Sequence, residues 1–109
     1  FVSSTSINNI NAILYSLRNS INKKDFSFVG NSKLVKKLKP NPAIYLLALK
    51  KLKIKADDCL AIEDTQESLN SAKRAKIKCI IFPGKFHSSR KFSGAYKKVY
   101  RLNKNIILR

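Results

Sequence analysis

Hydroxyl groups and one lysine occupy positions in the chain that suit the binding of a phosphate. Ser4, Thr5 and Ser6 follow the short apolar segment 1–3 and precede a helical pattern. Their hydroxyls and the free N–H groups of a helix start can together hold a phosphate, although the same residues can also form a simple helix cap. Lys39 lies in an irregular lead-in to another helix. Its ammonium can meet an anion there as a point charge, or stay solvated like an ordinary surface lysine.

Two adjacent carboxylates, Glu63 and Asp64, are the second feature with chemical potential. They come directly after the apolar run 59–62, in a chain that has only 6 acidic residues. A hard cation such as Mg²⁺ prefers oxygen ligands of this kind. The pair also precedes a helix that Thr65 can cap, so it can instead complement the dipole of that helix. Both interpretations remain open from the residues alone.

The elements that must position these residues alternate between short apolar runs and helical patterns. This alternation is typical of βα units, and it predicts one α/β domain with an open parallel sheet and helices on both faces. In such a sheet ligands bind outside the carboxyl ends of the strands, where the hydroxyls and the carboxylates are expected. The pattern predicts four or five strands, over 1–3, 26–29, 59–62 and 78–82 with an edge strand at 99–100, and helices over about 7–19, 42–52 and 66–76.

The composition limits the classes of protein to which the chain can belong. Its 109 residues suffice for one domain, and a formal net charge of +17 points first to nucleic acid as a partner. The cations are spread along the sequence, however, without zinc-ligand spacing, an RNA-recognition aromatic signature or a helix-turn-helix pattern. A basic nucleic-acid-binding module is therefore the alternative interpretation. No apolar run approaches the ~20 residues of a membrane span, so no membrane partner is expected.

The start of the sequence and its two cysteines bear on whether the chain is a fragment and on the compartment in which it is expected. It contains no Met and opens on an apolar pair, which predicts a fragment or a processed chain. No secretory signal is visible at its start. Cys59 and Cys79 each sit inside an apolar run, so we expect free buried thiols in a reducing compartment, either the cytoplasm or the plastid stroma.

Two runs of residues together resemble a known family. The run 39–45 reads Lys-Pro-Asn-Pro-Ala-Ile-Tyr, and Ala-Ile-Glu-Asp-Thr follows at 61–65. They resemble the haloacid dehalogenase (HAD) superfamily of phosphatases and phosphomutases, and more narrowly its CbbY and β-phosphoglucomutase-like branch. The segment 2–6 is similar to the second motif of that branch, a strand that ends in Ser or Thr. The resemblance covers roughly residues 1–100 and implies a Rossmann-like sheet.

The resemblance implies a catalytic and phosphate-binding role for the hydroxyls and the lysine. Ser4 would hydrogen-bond the transferring phosphoryl group, with Thr5 and Ser6 as further phosphate or substrate contacts. Lys39 would neutralise charge between the phosphoryl group and the attacking carboxylate. These roles agree with phosphoryl transfer in general, where positioning and electrostatic stabilisation dominate.

The resemblance also implies a metal cofactor and a class of substrate. Glu63 and Asp64 would help to hold Mg²⁺, with Asp64 as the more direct ligand. The expected activity is that of a phosphatase or phosphomutase that acts on small sugar phosphates through an aspartyl-phosphate. A phosphorylated sugar is then the expected partner, and nucleic acid is disfavoured.

The family's nucleophile is the main departure from the pattern. It is the first Asp of a D-x-D motif, and no such motif occurs in this sequence. We therefore interpret residues 1–109 as the C-terminal portion of a HAD core without its nucleophile strand and cap domain, and predict that this chain alone is inactive. Because that strand is central in the family's sheet, its absence predicts unpaired strand edges and marginal stability. A non-catalytic HAD remnant is the other alternative. A smaller departure is Ser68, where the family usually has Gly.

Overall fold

Three α-helices and a three-stranded sheet make up the part of the chain that the structure describes. The computed structural model describes residues 1–3, 5–83 and 91–100. No helix in these ranges is long and apolar enough to cross a membrane. Single 3₁₀ turns occupy Lys23–Asp25 and Ala56–Asp58. The main elements, in chain order, are α1 (Ile7–Ser16), α2 (Ala43–Leu52), β1 (Leu60–Glu63), α3 (Gln66–Arg74), β2 (Lys78–Ile81) and β3 (Lys97–Lys98).

Polar side chains accept hydrogen bonds at the starts of helices α2 and α3, and Thr65 is the cap that the sequence predicts for α3. The Oδ1 of Asn41 accepts from the N–H of Ala43 at 2.9 Å, and the hydroxyl of Thr65 accepts from the N–H of Ser68 at 3.2 Å. Each cap satisfies one of the N–H groups that a helix start leaves without a partner. Helix α3 ends earlier than predicted, because Lys76 adopts the left-handed conformation with φ 65° and stays exposed instead of extending the apolar face.

The three strands form a parallel sheet in the order β1-β2-β3. The register pairs Leu60 with Lys78 at the amino end and Glu63 with Ile81 at the carboxyl end. Helices α2 and α3 share one core cluster with alternate residues of β1 and β2, as the two-residue period of a strand requires. The buried members of this cluster are Ile44, Tyr45, Ala61, Leu69, Ala72, Ala75, Ile77, Cys79 and Ile81. The predicted α/β class with an open parallel sheet is therefore confirmed.

The segment 26–29 does not form the predicted strand, so this prediction is wrong. The structure has a single parallel bridge nearby, between Val2 and Gly30. There the N–H of Gly30 donates to the carbonyl of Phe1 at 2.7 Å, and the N–H of Ser3 donates to the carbonyl of Gly30 at 3.1 Å. Apolar composition alone does not make a strand, because each strand needs a neighbour that can accept its full ladder of hydrogen bonds.

The last strand lies two residues earlier than the sequence predicts. Strand β3 consists of Lys97 and Lys98, and the expected pair at 99–100 follows it. The backbone explains the difference, since the N–H of Tyr96 donates to the carbonyl of Cys79 and the N–H of Val99 donates to the carbonyl of Ile81, each at 2.8 Å. The hydrogen bonds to β2 place the strand at Lys97 and Lys98. The prediction, which relied on the apolar pair at 99–100, was therefore wrong by two residues.

Strand β1 lies at an edge of the sheet. In the part of the chain that the structure describes, β2 is its strand neighbour on one side and its other side has none. That open side and the segment Phe1–Ser3 line the same cleft. The cleft begins where the polar residues at the carboxyl end of β1 are found.

Candidate active site

A cleft of about 620 Å³ opens at the carboxyl end of β1. Ligands of open α/β sheets bind at this end of the strands. The cleft brings Lys39 together with both carboxylates that the sequence singles out. Its lining consists of Phe1, Val2, Ser3, Lys39, Tyr45, Leu60, Ala61, Ile62, Glu63, Asp64, Glu67 and Ser68.

Lys39 is a buried cation that is held by several oxygen atoms. The residue is 8% exposed, and its Nζ lies 2.7 Å from the Oε1 of Glu63. The same Nζ donates to the carbonyl of Val2 at 3.4 Å and to the hydroxyl of Ser68 at 3.5 Å. Burial of an ammonium is costly unless a charge and hydrogen bonds compensate it, and this arrangement supplies both. From the sequence alone, Lys39 could also have been an ordinary solvated lysine. The structure excludes that interpretation, because the side chain is buried.

The irregular segment before α2 is fixed to α3, and this fixes the position of Lys39. The hydroxyl of Ser71, which is fully buried, donates to the carbonyl of Asn41 at 2.8 Å. The guanidinium of Arg74 donates to the carbonyl of Pro40 at 3.4 Å. The peptide bond between Lys39 and Pro40 is cis. Helix α3 therefore supports the segment that carries the lysine.

Tyr45 completes the network around Glu63. Its ring packs in the core, and its hydroxyl donates to the Oε1 of Glu63, the atom that also accepts from Lys39. The Nζ of Lys39 lies 5.1 Å from the centre of the Tyr45 ring, within the range of a cation–π interaction. Burial and then the charge of Glu63 raise the pKa of Tyr45 well above its ordinary value, so the phenol keeps its proton and remains a donor.

From the sequence, Tyr45 was noted only as the last residue of the run 39–45, and its contact with Glu63 was not predicted. One general rule could have indicated this contact: the hydroxyl of a buried tyrosine needs a hydrogen-bond partner. Ser68 was noted only as a departure from the family pattern, yet its hydroxyl is one of the groups that surround Lys39.

The core beneath the cleft is strongly desolvated. Cys79 of β2 is 2% exposed, and burial followed by the negative charge of Glu63 raises the pKa of its thiol to about 12. Both cysteines are free thiols, as predicted, although Cys59 is only partly buried. A thiol with a raised pKa is a poor nucleophile, so Cys79 acts here as a core side chain.

Asp64 follows β1 and is exposed at the cleft. It also lines a smaller cavity of about 170 Å³ beside Phe82. Mg²⁺ usually binds through one or two carboxylates together with water and substrate phosphates, and an exposed carboxylate at the mouth of a cleft fits that mode. Glu63 is different, because its Oε1 already accepts from Lys39 and Tyr45. Across the described ranges no group of three or more potential ligands is present, so the metal roles of both residues stay predictions.

The hydroxyl groups near the start of the chain are arranged mainly as a helix cap. The Oγ of Ser6 accepts from the N–H of Asn9 at 3.3 Å, and the hydroxyl of Thr5 accepts from the side chain of Asn9 at 2.7 Å. Neither Thr5 nor Ser6 is among the residues that line the cleft, whereas Ser3 is. Ser4 lies outside the described residues. The phosphate-binding roles of Ser4, Thr5 and Ser6 therefore stay predictions.

Comparison with families of known proteins agrees with this fold and site. Residues 2–82 match the model of the haloacid dehalogenase-like hydrolase family, so the chain belongs to that family. It is 44% identical over 61 residues to YhcW of Bacillus subtilis, covering 56% of this chain and 28% of that protein. It is also 32% identical over 91 residues to the protein CbbY of Cereibacter sphaeroides, covering 84% of this chain and 40% of that protein.

Solved structures point to the same branch of the family. CbbY from Rhodobacter sphaeroides, seen in complex with phosphate and, as a mutant, with xylulose-(1,5)-bisphosphate, superimposes with a TM-score of 0.81 at 30% identity, over 88% of this chain and 43% of that one. A β-phosphoglucomutase-type protein from Thermotoga maritima gives a TM-score of 0.64 at 28% identity, over 82% of this chain and 43% of that one. The chain thus spans less than half the length of these relatives. The resemblance to the CbbY and β-phosphoglucomutase-like branch is confirmed.

Proposed function

We propose that this chain forms the phosphoryl-binding and metal-binding portion of a Mg²⁺-dependent phosphatase or phosphomutase for small sugar phosphates. The observation that carries the proposal is the buried Lys39, whose Nζ is held 2.7 Å from Glu63 at the edge of the cleft. A lysine fixed in this way presents a defined positive charge to an anion, and phosphoryl transfer depends mainly on such positioning and charge stabilisation.

The residues of this chain have separable roles in the proposal. Lys39 would neutralise charge on the phosphoryl oxygens, and Glu63 with Tyr45 would hold the ammonium in place. Asp64 would provide a carboxylate ligand to Mg²⁺, and Ser4 would donate a hydrogen bond to the phosphoryl group. The bound Mg²⁺ supplies further neutralisation of phosphate charge. The relative CbbY has been captured with phosphate and with a sugar bisphosphate, which supports this class of substrate.

We further propose that the isolated chain binds phosphate but does not turn over substrate. The aspartyl-phosphate route needs a nucleophilic carboxylate, and the D-x-D motif of the family is absent from the sequence. A phosphate-release assay with Mg²⁺ and p-nitrophenyl phosphate tests this, with no release above the buffer rate as the expected result. Turnover that Asp64→Asn abolishes would contradict the proposed inactivity.

Binding is tested separately from turnover. Inorganic phosphate and Mg²⁺ are titrated into the isotope-labelled chain while amide NMR shifts are followed. We expect Lys39→Met to remove the phosphate response and Asp64→Asn to weaken the Mg²⁺ response. Glu67→Gln is the matched control, because Glu67 is an exposed carboxylate that lines the same cleft. Equal Mg²⁺ responses of the Asp64 and Glu67 variants would remove Asp64 from the proposed metal site.

A further inference from the structure

A second cluster of charged residues lies around the amino end of β2. Lys78 begins β2 and pairs with Leu60, the first residue of β1, whereas Glu63 ends that strand and pairs with Ile81. Lys73 and Lys76, at the end of α3 and just after it, reach the same surface. We name Lys73, Lys76, Lys78 and Tyr96 the amino-end cluster.

These residues line two adjoining depressions. One, of about 320 Å³, contains all four members of the cluster together with Gly94, and the other, of about 390 Å³, contains Lys73 and Lys76 beside Arg74. The fold therefore gathers cations that the sequence spreads over a helix end, a turn and a strand start. Clustered cations at a concave surface raise the local concentration of polyanions.

No described carboxylate forms an ion pair with the lysines of the cluster. Within the described ranges, the one ion pair closer than 4.0 Å is that between Lys39 and Glu63, at the other end of the sheet. Lys73, Lys76 and Lys78 are exposed, and no described carboxylate lies within that distance of them. Their charges are therefore available to an external anion.

An exposed aromatic ring stands among these cations. Tyr96 is 48% exposed, and the Nζ atoms of Lys78 and Lys97 lie 5.0 Å and 5.7 Å from its ring centre. Tyr100, which is 65% exposed, follows four residues later. Rings that are flanked by cations are the stacking platforms on which unpaired bases bind, while the cations track the phosphates. The cluster thus combines both elements of single-strand recognition.

The backbone around Tyr96 is held in place by hydrogen bonds to other parts of the fold. The N–H of Tyr96 donates to the carbonyl of Cys79 at 2.8 Å. Upstream, the side chain of Gln66 both donates to the carbonyl of Ser93 and accepts from its N–H, each at 3.0 Å. A Cβ on Gly94 would come within 2.5 Å of the Nζ of Lys73, so the glycine permits this close approach. The ring and the lysines are therefore presented from fixed backbone.

From these observations we infer that the amino-end cluster binds single-stranded nucleic acid, with Lys73, Lys76 and Lys78 on the phosphates and Tyr96 stacked on a base. This inference does not depend on the proposed phosphoryl-transfer function, because no described residue lines both the cleft and the two depressions. It also departs from the expectation that nucleic acid is disfavoured as a partner, which considered the distribution of the cations only along the sequence.

The test uses the whole chain and a fluorescent oligothymidylate of ~15 nucleotides, long enough for one site of this kind. Fluorescence anisotropy is measured over a series of KCl concentrations. We expect the triple variant Lys73→Gln, Lys76→Gln and Lys78→Gln to reduce the slope of log K against log[KCl] by about 2, since each phosphate contact on a single strand contributes about 0.7. Tyr96→Ala should weaken binding about tenfold, the effect of losing one stacked base.

Matched controls separate a defined site from the effect of net charge. Lys50→Gln, Lys51→Gln and Lys53→Gln remove the same number of exposed cations near the end of α2, and Tyr15→Ala removes an exposed ring that is also paired with a cation. We expect the control variants to bind less than about threefold more weakly than the parent chain. Equal losses from the two lysine triples, no loss in Tyr96→Ala, or no binding by the parent chain would each overturn the inference.

A footprint gives a second readout that does not depend on variants folding. Lysine acetylation is mapped by mass spectrometry with and without the oligonucleotide. Protection of Lys73, Lys76 and Lys78 beyond that of Lys50 and Lys51 is expected. Uniform protection would show a polyanion effect only, and it would overturn the proposed site.

Discussion

The two ends of the parallel sheet both carry lysines, and they hold them in different ways. At the carboxyl end Lys39 is 8% exposed and its Nζ lies 2.7 Å from Glu63. At the amino end Lys73, Lys76 and Lys78 are exposed, and no carboxylate of the described ranges lies within 4.0 Å of them. The same side chain is thus a structural ion-pair partner in one place and a free surface charge in the other.

Solvation explains this difference. A buried ammonium loses its hydration, so it must be compensated by a charge and by hydrogen bonds in fixed positions. An exposed ammonium keeps its water and tolerates like-charged neighbours, because solvent and salt screen their repulsion. Burial, rather than the number of lysines, therefore identifies the cation whose loss or mispairing affects the fold.

Among the variants, Glu63→Ala is expected to lower the free energy of unfolding most. Removal of this carboxylate leaves Lys39 and the Tyr45 hydroxyl buried without their acceptor, and breaking a buried pair in this way typically costs about 3–5 kcal/mol of unfolding free energy. Urea denaturation followed by circular dichroism measures the loss. The double variant Lys39→Met, Glu63→Leu should recover much of it, since apolar replacement of a whole buried pair is often neutral. Glu67→Gln, an exposed control, should stay within about 0.5 kcal/mol of the parent chain.

Tyr45→Phe is expected to lower the free energy of unfolding by about 1.5–3 kcal/mol, the range for a hydrogen bond to a charged group. The ring and its packing remain, so the variant isolates the hydroxyl that donates to Glu63. The same change at Tyr15, which is 67% exposed, is the control and should have little effect. Equal unfolding free energies for the two variants would show that Tyr45 contributes only through its ring.

The next effect is the destabilisation of the folded chain at alkaline pH. The pKa of Cys79 is about 12 in the folded chain against an ordinary value of 9.0, so the unfolded chain loses its proton first. The free energy of unfolding therefore falls as pH rises through that interval, by up to about 1.4 kcal/mol per pH unit for this group. Tyr45 contributes in the same direction at higher pH, because its pKa is also raised.

Unfolding curves at several pH values above 9 measure this dependence. Cys79→Ala should make the fall with pH shallower. Cys59→Ala is the matched control at a partly exposed thiol, and it should change the slope less. Identical slopes in both variants would mean that the core beneath the cleft is more hydrated than the structure indicates.

The smallest effect on stability is expected at the amino end. Lys73→Gln, Lys76→Gln and Lys78→Gln should each change the unfolding free energy by no more than about 0.5 kcal/mol, because each side chain is exposed and no described carboxylate lies within 4.0 Å of it. The same substitutions are predicted to affect nucleic-acid binding. A loss of stability comparable to that of Tyr45→Phe would remove the contrast between the two ends.

Local patterns predicted much of the fold. The cap at Thr65 and the apolar run before Glu63 are encoded within a few neighbouring residues, so helices and strands appear close to their predicted positions. The predictions that failed concern pairing between distant segments. The apolar segment 26–29 lacks a strand, and β3 forms on two lysines instead of the apolar pair that follows them.

Part of the candidate site could likewise be predicted from local sequence patterns, and part of it could not. Residue type and spacing were enough to single out Lys39, Glu63 and Asp64, and the fold places all three at one cleft. The partnership of Tyr45 and Ser68 with these residues joins positions 18 and 29 residues apart in sequence. No local pattern specifies such contacts, because they depend on how α2 and α3 pack against the sheet.

The sequence by itself determined the α/β class and the family resemblance, and it singled out one lysine and two carboxylates as candidate site residues, since periodicity, caps and motif spacing are local properties. Only the tertiary structure decided which charges are desolvated. It buried Lys39 against Glu63 and Tyr45, and it left Lys73, Lys76 and Lys78 exposed beside Tyr96. Desolvation depends on atoms that are brought together from distant parts of the chain, and it sets what each of these equal charges can do.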